Sequence, residues 1–187
     1  MSAGAPRQVL LFSGHLVDAP GRVPSRFPSA LLPAAQAAIE AQLDRLHAGP
    51  ADLALTQGAA GGDLLFAQAC QQRGLTLQLL LPQNEADFVA TSVLSCDDGP
   101  AWLARWNAVR AQLARPPRAL PAGTRGIYER CNQWLLDEAL AHGAERLRFI
   151  CLWDGADGGS GGTGHMVAEV KRHGVPVHWI DIRTLHP

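Results

Sequence analysis

Several features are scarce or missing in this 187-residue sequence, and each absence argues against a class of protein. No apolar run reaches the roughly 18–20 residues that a membrane-spanning helix needs. The first residues lack the basic start and apolar stretch of a secretory signal, so we expect a cytoplasmic protein. The 16 basic and 17 acidic residues give a formal net charge of −1, which argues against a protein that coats nucleic acid through charge alone.

Residue patterns typical of metal and redox sites are also missing. The four cysteines are widely spaced and form no CxxC pair, which argues against zinc ribbons, iron–sulfur ferredoxins and thiol redox motifs. None of the seven histidines is paired with a carboxylate at the spacing of a motif such as HExxH. The sequence therefore predicts no metal site, and its thiols are expected to be reduced and buried.

What the sequence does contain is a regular alternation of short apolar runs with stretches of helical period. The runs are rich in Leu, Ile and Val, as strands of a buried parallel sheet are. The helical stretches carry apolar residues three and four apart, such as Leu32, Ala35, Ile39 and Leu43. The five predicted strands cover residues 8–12, 52–56, 75–81, 147–153 and 175–182.

Strands that alternate with helices indicate an α/β fold with helices on both faces of the sheet. We predict a Rossmann-like three-layer sandwich with a mostly parallel sheet of about five strands and right-handed crossovers. The length suits a single domain over residues 1–187. The less regular segment 84–126 is expected to be an insertion over one edge of the sheet.

Glycine clusters follow three of the predicted strands. Ser13-Gly14-His15 follows the first strand, the run GAAGGD at 58–63 follows the second, and the loop 158–164 follows the fourth. Ligands of open parallel sheets bind outside the carboxyl ends of the strands. Because glycine carries a cost in backbone entropy, its repeated use at these ends suggests that a ligand approaches the backbone there.

The loop 158–164 is the strongest single feature, since six of its seven residues are Gly or Ser and a helix begins at once. Free N–H groups and the positive end of a helix dipole favour an anion, which points to Gly161, Gly162 and the hydroxyl of Thr163. No Gly-Lys-Ser/Thr follows, so the loop is not a Walker A motif. The alternative is a flexible loop or tight turn.

Polar residues beside these turns have two interpretations each. Asp63 either accepts a hydrogen bond from a ribose or base, or caps the following helix. His15 either contacts a ligand or is a structural histidine. Asp154 directly follows the fourth strand and is a further candidate contact.

The start of the helix predicted over 127–142 carries another polar group. Glu129, Arg130 and Asn132 lie in or near its first turn, where an arginine could face a phosphate. The alternative is a solvated first turn with no ligand.

Taken in order, the motifs SGH, GAAGGD and GGSGGT resemble those of the SLOG superfamily over nearly the whole chain. These Rossmann-like proteins are related to the LOG cytokinin-activating phosphoribohydrolases and the DNA-uptake Smf/DprA proteins. The resemblance implies a pocket for a nucleotide or nucleotide-derived ligand, with no other cofactor indicated, and a homo-oligomer. It implies that this pocket is lined by Gly14, His15, Gly58, Gly61, Gly62, Asp63, Gly161, Gly162 and Thr163.

Three functions stay open at this point. The first is a sensor or carrier that binds a nucleotide without chemistry of its own. The second is an N-glycosidase or phosphoribohydrolase, in which Asp63, Glu129, Asp154 or Glu169 supplies the acid or base. The third is a nucleic-acid-binding module, against which the near-neutral charge argues.

The hydrolase motif is incomplete in this chain. LOG hydrolases carry GGxGTxxE; here Gly162 and Thr163 match the GT, but Met166 stands where the glutamate is expected. Glu169 lies one turn further along the helix, about 4.5 Å along its axis. Because glycosidic cleavage needs a carboxylate placed to about an ångström, this departure favours the sensor or carrier.

Overall fold

A computed structural model describes residues 4–123, 125–156 and 161–187 of the chain. In this part of the protein six strands form one sheet in the order β4-β3-β2-β1-β5-β6, and every neighbouring pair is parallel. The strands are β1 (Val9–Gly14), β2 (Leu53–Thr56), β3 (Thr76–Leu81), β4 (Arg118–Ala119), β5 (Leu147–Trp153) and β6 (Val177–Asp181).

Six α-helices accompany the strands in the described residues. They are α1 (Leu32–Arg45), α2 (Gly62–Gln72), α3 (Glu85–Ser92), α4 (Gly99–Ala111), α5 (Ile127–Leu140) and α6 (Thr163–Arg172). One hydrophobic core contains side chains of α1, α2 and α4, and a second core contains side chains of α5 and α6. The predicted α/β three-layer sandwich is therefore confirmed.

The central strand β1 shows why the sheet is covered on both faces. Its alternate residues Leu10 and Phe12 belong to one core, while Val9 and Leu11 belong to the other. All four are at most 1% exposed. The Phe12 ring stacks on Phe66 of α2 with centroids 4.6 Å apart, which fixes α2 behind the end of β1. An apolar run with no polar alternation is what a strand buried on both sides requires.

The sheet has six strands instead of about five, because β4 adds a short edge strand within the segment 84–126, where the sequence analysis predicted no strand. Only two residues form it, paired with Leu80 and Leu81 of β3. A strand of two residues has no detectable period, and it lies in a stretch rich in proline and glycine. Within the same segment 84–126, Trp102 and Trp106 of α4 are buried in the hydrophobic core that α4 shares with α1 and α2.

The order of the strands creates a crevice beside β1. From β1 the chain proceeds through β2 and β3 on one side, and it then returns to β5 on the other side. The connections that leave the carboxyl ends of β1 and β5 therefore run to opposite sides. Such a switch point is where open α/β sheets bind ligands. None of the described helices combines the length and apolar character needed to cross a membrane.

Candidate functional site

A cleft of about 210 Å³ opens at the carboxyl ends of β1 and β5. The three glycine-containing turns meet there, because each follows a strand at this edge of the parallel sheet. Its walls include Ser13, Gly14 and His15 at the end of β1, Gln57, Ala59 and Asp63 between the end of β2 and the start of α2, and Gly161, Gly162, Thr163 and Gly164 before and within the first turn of α6. The convergence expected of the three turns is present in the described residues, whereas residues 158–160 of the glycine-rich loop lie outside them.

The first turn of α6 presents backbone donors to this cleft. Gly162 precedes the helix in extended conformation (φ −83°, ψ 174°), and as a glycine this N-cap residue has no side chain with which to cap the helix. The first N–H groups of a helix have no partner within it, and the helix dipole makes this end positive. The Thr163 hydroxyl lies 3.1 Å from that of Ser13, so β1 and α6 each bring a hydroxyl to the same wall.

Asn132 of α5 fixes the backbone that leads into α6. Its Nδ2 donates to the Gly161 carbonyl at 2.9 Å, and its Oδ1 accepts from Gln57 Nε2 at 2.9 Å. Gly161 has a φ of +88°, and a Cβ there would lie 3.0 Å from both the Glu129 amide nitrogen and Tyr128 Cβ. A residue without a side chain is therefore needed for this close approach to α5. Asn132 lines the cleft but is chiefly a positioning residue.

Asp63 lies in the cleft wall and joins two of the turns. Its Oδ1 accepts from the Gly14 amide at 3.2 Å, and its Oδ2 accepts from the amides of Gly58 and Ala59 at 3.2 and 3.4 Å. Burial raises the pKa of Asp63 to about 6, against the opposing effect of these amides. From the first turn of α2, the carboxylate therefore links the end of β1 to the turn after β2 through hydrogen bonds to backbone amides.

The glycines of the run 58–63 serve backbone packing more than ligand contact. Gly61 has a φ of +116° and bridges Leu16 in antiparallel fashion. A Cβ on Gly62 would lie 3.2 Å from Gly14 Cα, so these two backbones touch. A Cβ on Gly58, whose φ is +91°, would lie 2.9 Å from the Trp106 ring. Gly58, Gly61 and Gly62 therefore lie behind the wall, while Gly14 belongs to it.

His15 is 8% exposed and lies between two charged side chains. Its Nε2 is 3.1 Å from Asp154 Oδ1, and its Nδ1 is 3.1 Å from Arg26 Nη2. Burial and the Arg26 charge lower the pKa of His15, so the ring is neutral. The Asp154 amide also lies 3.2 Å from Nε2, so Asp154 contacts the ring through both its backbone and its carboxylate. Burial would raise the pKa of Asp154, but the Ala156 amide, His15 and Arg26 together lower it.

Arginines on the connection after β1 were not among the predicted site residues. Arg22 and Arg26 both line the cleft, from a loop whose base is held by Asp18. The Asp18 carboxylate accepts from the Ser25 hydroxyl at 2.6 Å and from the amides of Arg26 and Phe27. The basic character of the stretch GRVPSR at 21–26, between the first predicted strand and the first predicted helix, is the signal that could have indicated them.

The other predicted residues lie away from the cleft wall. Glu129 and Glu169 flank His165, with carboxylate oxygens 3.9 and 3.7 Å from its Nε2. Glu169 also pairs with Arg172. Arg130 is exposed, and its guanidinium lies beside Gly123. Of the four carboxylates predicted to supply the acid or base, Asp63 alone lines the cleft.

Within residues 4–123, 125–156 and 161–187, no group of three or more His, Cys, Asp or Glu side chains is arranged to hold a metal ion. The four cysteines are free and buried, as expected. Burial raises the pKa of both Cys131 and Cys151 to about 12, so these thiols are protonated and unreactive at neutral pH.

Comparison of the chain with models of protein families and with curated proteins gives no match.

Proposed function

We propose that this protein binds a nucleotide or nucleotide-derived ligand in the cleft beside β1, as a sensor or carrier of the kind found in the SLOG superfamily. The observation that carries the proposal is the convergence of three turns on one cleft at the switch point of a parallel sheet. The uncapped start of α6 supplies donors and a positive dipole for a phosphate. The hydroxyls of Ser13 and Thr163 supply further hydrogen bonds.

Tyr128 suits the base or sugar of such a ligand. It lines the cleft, its side chain is 38% exposed, and its hydroxyl lies 3.2 Å from that of Ser92. An aromatic ring held at its polar end and open on the other side offers a surface for stacking. The buried turns would hold the phosphate while this ring contacts the remainder of the ligand.

Thermal unfolding in the presence of nucleoside mono- and diphosphates tests the proposal, since a ligand that binds only the folded state raises Tm. The decisive variant is Gly162→Asp. The backbone of Gly162 already suits an N-cap residue, so the aspartate would cap α6 and stabilise the free protein by about 0.3 kcal/mol. The same carboxylate would occupy the donors and repel a phosphate.

We expect Gly162→Asp to raise the Tm of the free protein and to abolish the nucleotide-induced shift. Gly162→Asn is the matched control, because it caps the helix without a charge and should retain part of the shift. A panel of nucleotides that gives no shift with the wild-type protein would refute the proposal. If the nucleotide raised the Tm of Gly162→Asp as much as that of the wild type, the start of α6 would not be part of the binding site.

A phosphoribohydrolase is the second candidate, favoured by one observation. Asp63 lines the cleft with a pKa raised to about 6, which suits a general acid near neutral pH. Its two oxygens already accept backbone hydrogen bonds, so it would need to give one up to act. Chromatography of nucleoside monophosphates incubated with the protein tests this candidate. Free base released by the wild type and not by Asp63→Asn would support it.

A further inference from the structure

The loop between β1 and α1 brings two positive charges to the wall of the cleft. Arg22 and Arg26 both line it, and their side chains are 42% and 32% exposed, so each reaches both protein and solvent. The loop is held at its base by the hydrogen bonds to Asp18 and by Phe27, which is fully buried. The arginines are thus presented from an anchored backbone.

The carboxylate beside each arginine uses only part of the hydrogen-bond donors of its guanidinium group. Arg22 Nε lies 3.5 Å from Asp18 Oδ1, and its side chain makes no hydrogen bond to any described residue. Arg26 Nε lies 3.3 Å from Asp154 Oδ2, and its Nη2 faces the neutral His15 ring. A guanidinium has five N–H donors in a fixed fork. Both arginines therefore retain donors for an anion.

The carboxylates opposite them are already occupied by other donors. Asp18 accepts from two backbone amides and from Ser25, and Asp154 accepts from the Ala156 amide. Each ion pair joins a single arginine nitrogen to a single carboxylate oxygen, at 3.5 Å for Arg22 and at 3.3 Å for Arg26. Arginine forks bind phosphate through two parallel hydrogen bonds, a geometry that neither carboxylate provides here.

We infer that Arg22 and Arg26 form a second anion subsite in the cleft, separate from the start of α6, and that the ligand therefore carries at least two phosphate groups. The inference rests on the proposed function, because it places the first phosphate at α6. No hydrogen bond or ion pair joins either arginine to residues 161–164, the described residues at the start of α6. A nucleoside diphosphate, or a nucleotide with a second phosphate elsewhere, fits two such subsites, and a monophosphate engages only one.

Isothermal titration calorimetry with matched pairs tests the inference, using the mono- and diphosphates of adenosine, guanosine, cytidine and uridine at fixed ionic strength. For the nucleoside that binds, the diphosphate should bind wild-type protein at least about tenfold more tightly, as charge-assisted hydrogen bonds imply. Arg22→Gln and Arg26→Gln should each weaken diphosphate binding by about five- to tenfold. Both should leave monophosphate binding within about twofold.

Arg45→Gln is the control, since Arg45 is exposed in the last turn of α1. It should change neither affinity. Arg26→Lys keeps the charge without the fork and should give an intermediate diphosphate affinity, provided that thermal unfolding shows the variant folded. Equal binding of the two members of a pair, or equal weakening of both in the glutamine variants, would overturn the inference alone. Binding of neither member of any pair would overturn the proposed function and the subsite with it.

Discussion

Replacement of the buried Asp63 by asparagine should change how stability depends on pH. The folded-state pKa of Asp63 is about 6, against an ordinary value of 3.8. The folded protein therefore retains this proton between about pH 4 and 6, where the unfolded chain has released it. Stability from this group is fully present below about pH 4, and it is lost as the pH rises through about 6.

The magnitude follows from the difference between the two pKa values. Each pKa unit corresponds to about 1.4 kcal/mol, so the wild type should lose about 3 kcal/mol from Asp63 between pH 3 and 7. Asparagine does not titrate in this range. Whatever its stability at pH 3, Asp63→Asn should gain about 3 kcal/mol relative to the wild type by pH 7.

Urea unfolding followed by tryptophan fluorescence, repeated from pH 3 to 7 for both proteins, measures this difference. Asp52→Asn is a control of opposite sign. Burial would raise the pKa of Asp52, but hydrogen bonds from Arg7, Gln8 and Gly49 lower it. Its contribution is lost as the pH falls, so Asp52→Asn should lose stability relative to the wild type as the pH rises from 3.

A difference between Asp63→Asn and wild type that stays constant from pH 4 to 7 would refute this reasoning. A difference that moves against the variant as the pH rises would show that the three amide hydrogen bonds outweigh the burial of the charge. Asp63 would then be a stabilising carboxylate with a low pKa, and its suitability as a general acid would disappear.

Two further substitutions test the backbone of the site by urea unfolding. Gly61→Ala should lower the free energy of unfolding by at least about 2 kcal/mol, because Gly61 has a positive φ and an added Cβ would lie 2.6 Å from the His15 carbonyl oxygen. Gly21→Ala is the control: its φ of +74° is also positive, but the space around it is open, so it should lower that free energy by about 1 kcal/mol. Equal losses of stability in the two variants would show that the backbone at His15 moves to make room for the added Cβ. Asn132→Leu should cost about 1–3 kcal/mol and reduce the nucleotide-induced Tm shift, while the exposed neighbour Gln133→Leu should change neither; an unaltered shift would contradict the positioning role.

The sequence predicted the layers of the fold because the signals involved are local. Buried parallel strands require uninterrupted apolar runs, and helices require apolar residues three and four apart. Both patterns can be recognised within about ten residues. The apolar run that ends at Phe12 is an example of the first, and the helical spacing of apolar residues from Leu32 to Leu43 is an example of the second. The glycine turns were likewise legible, and the rule that parallel strands end at one edge placed them near one another.

The composition of the cleft was decided by tertiary structure. Ser13 and Thr163 meet although 150 residues separate them, and Arg26 reaches Asp154 across 128 residues. These contacts depend on β5 returning beside β1, an order of strands that no local pattern encodes. Asn132 was a candidate ligand contact, but only its position between Gln57 and Gly161 reveals that it holds the turns together. Local periodicity therefore indicates which segments form the longer strands and helices. The order of the strands in the sheet, which depends on long-range contacts, determines which side chains come together at the site.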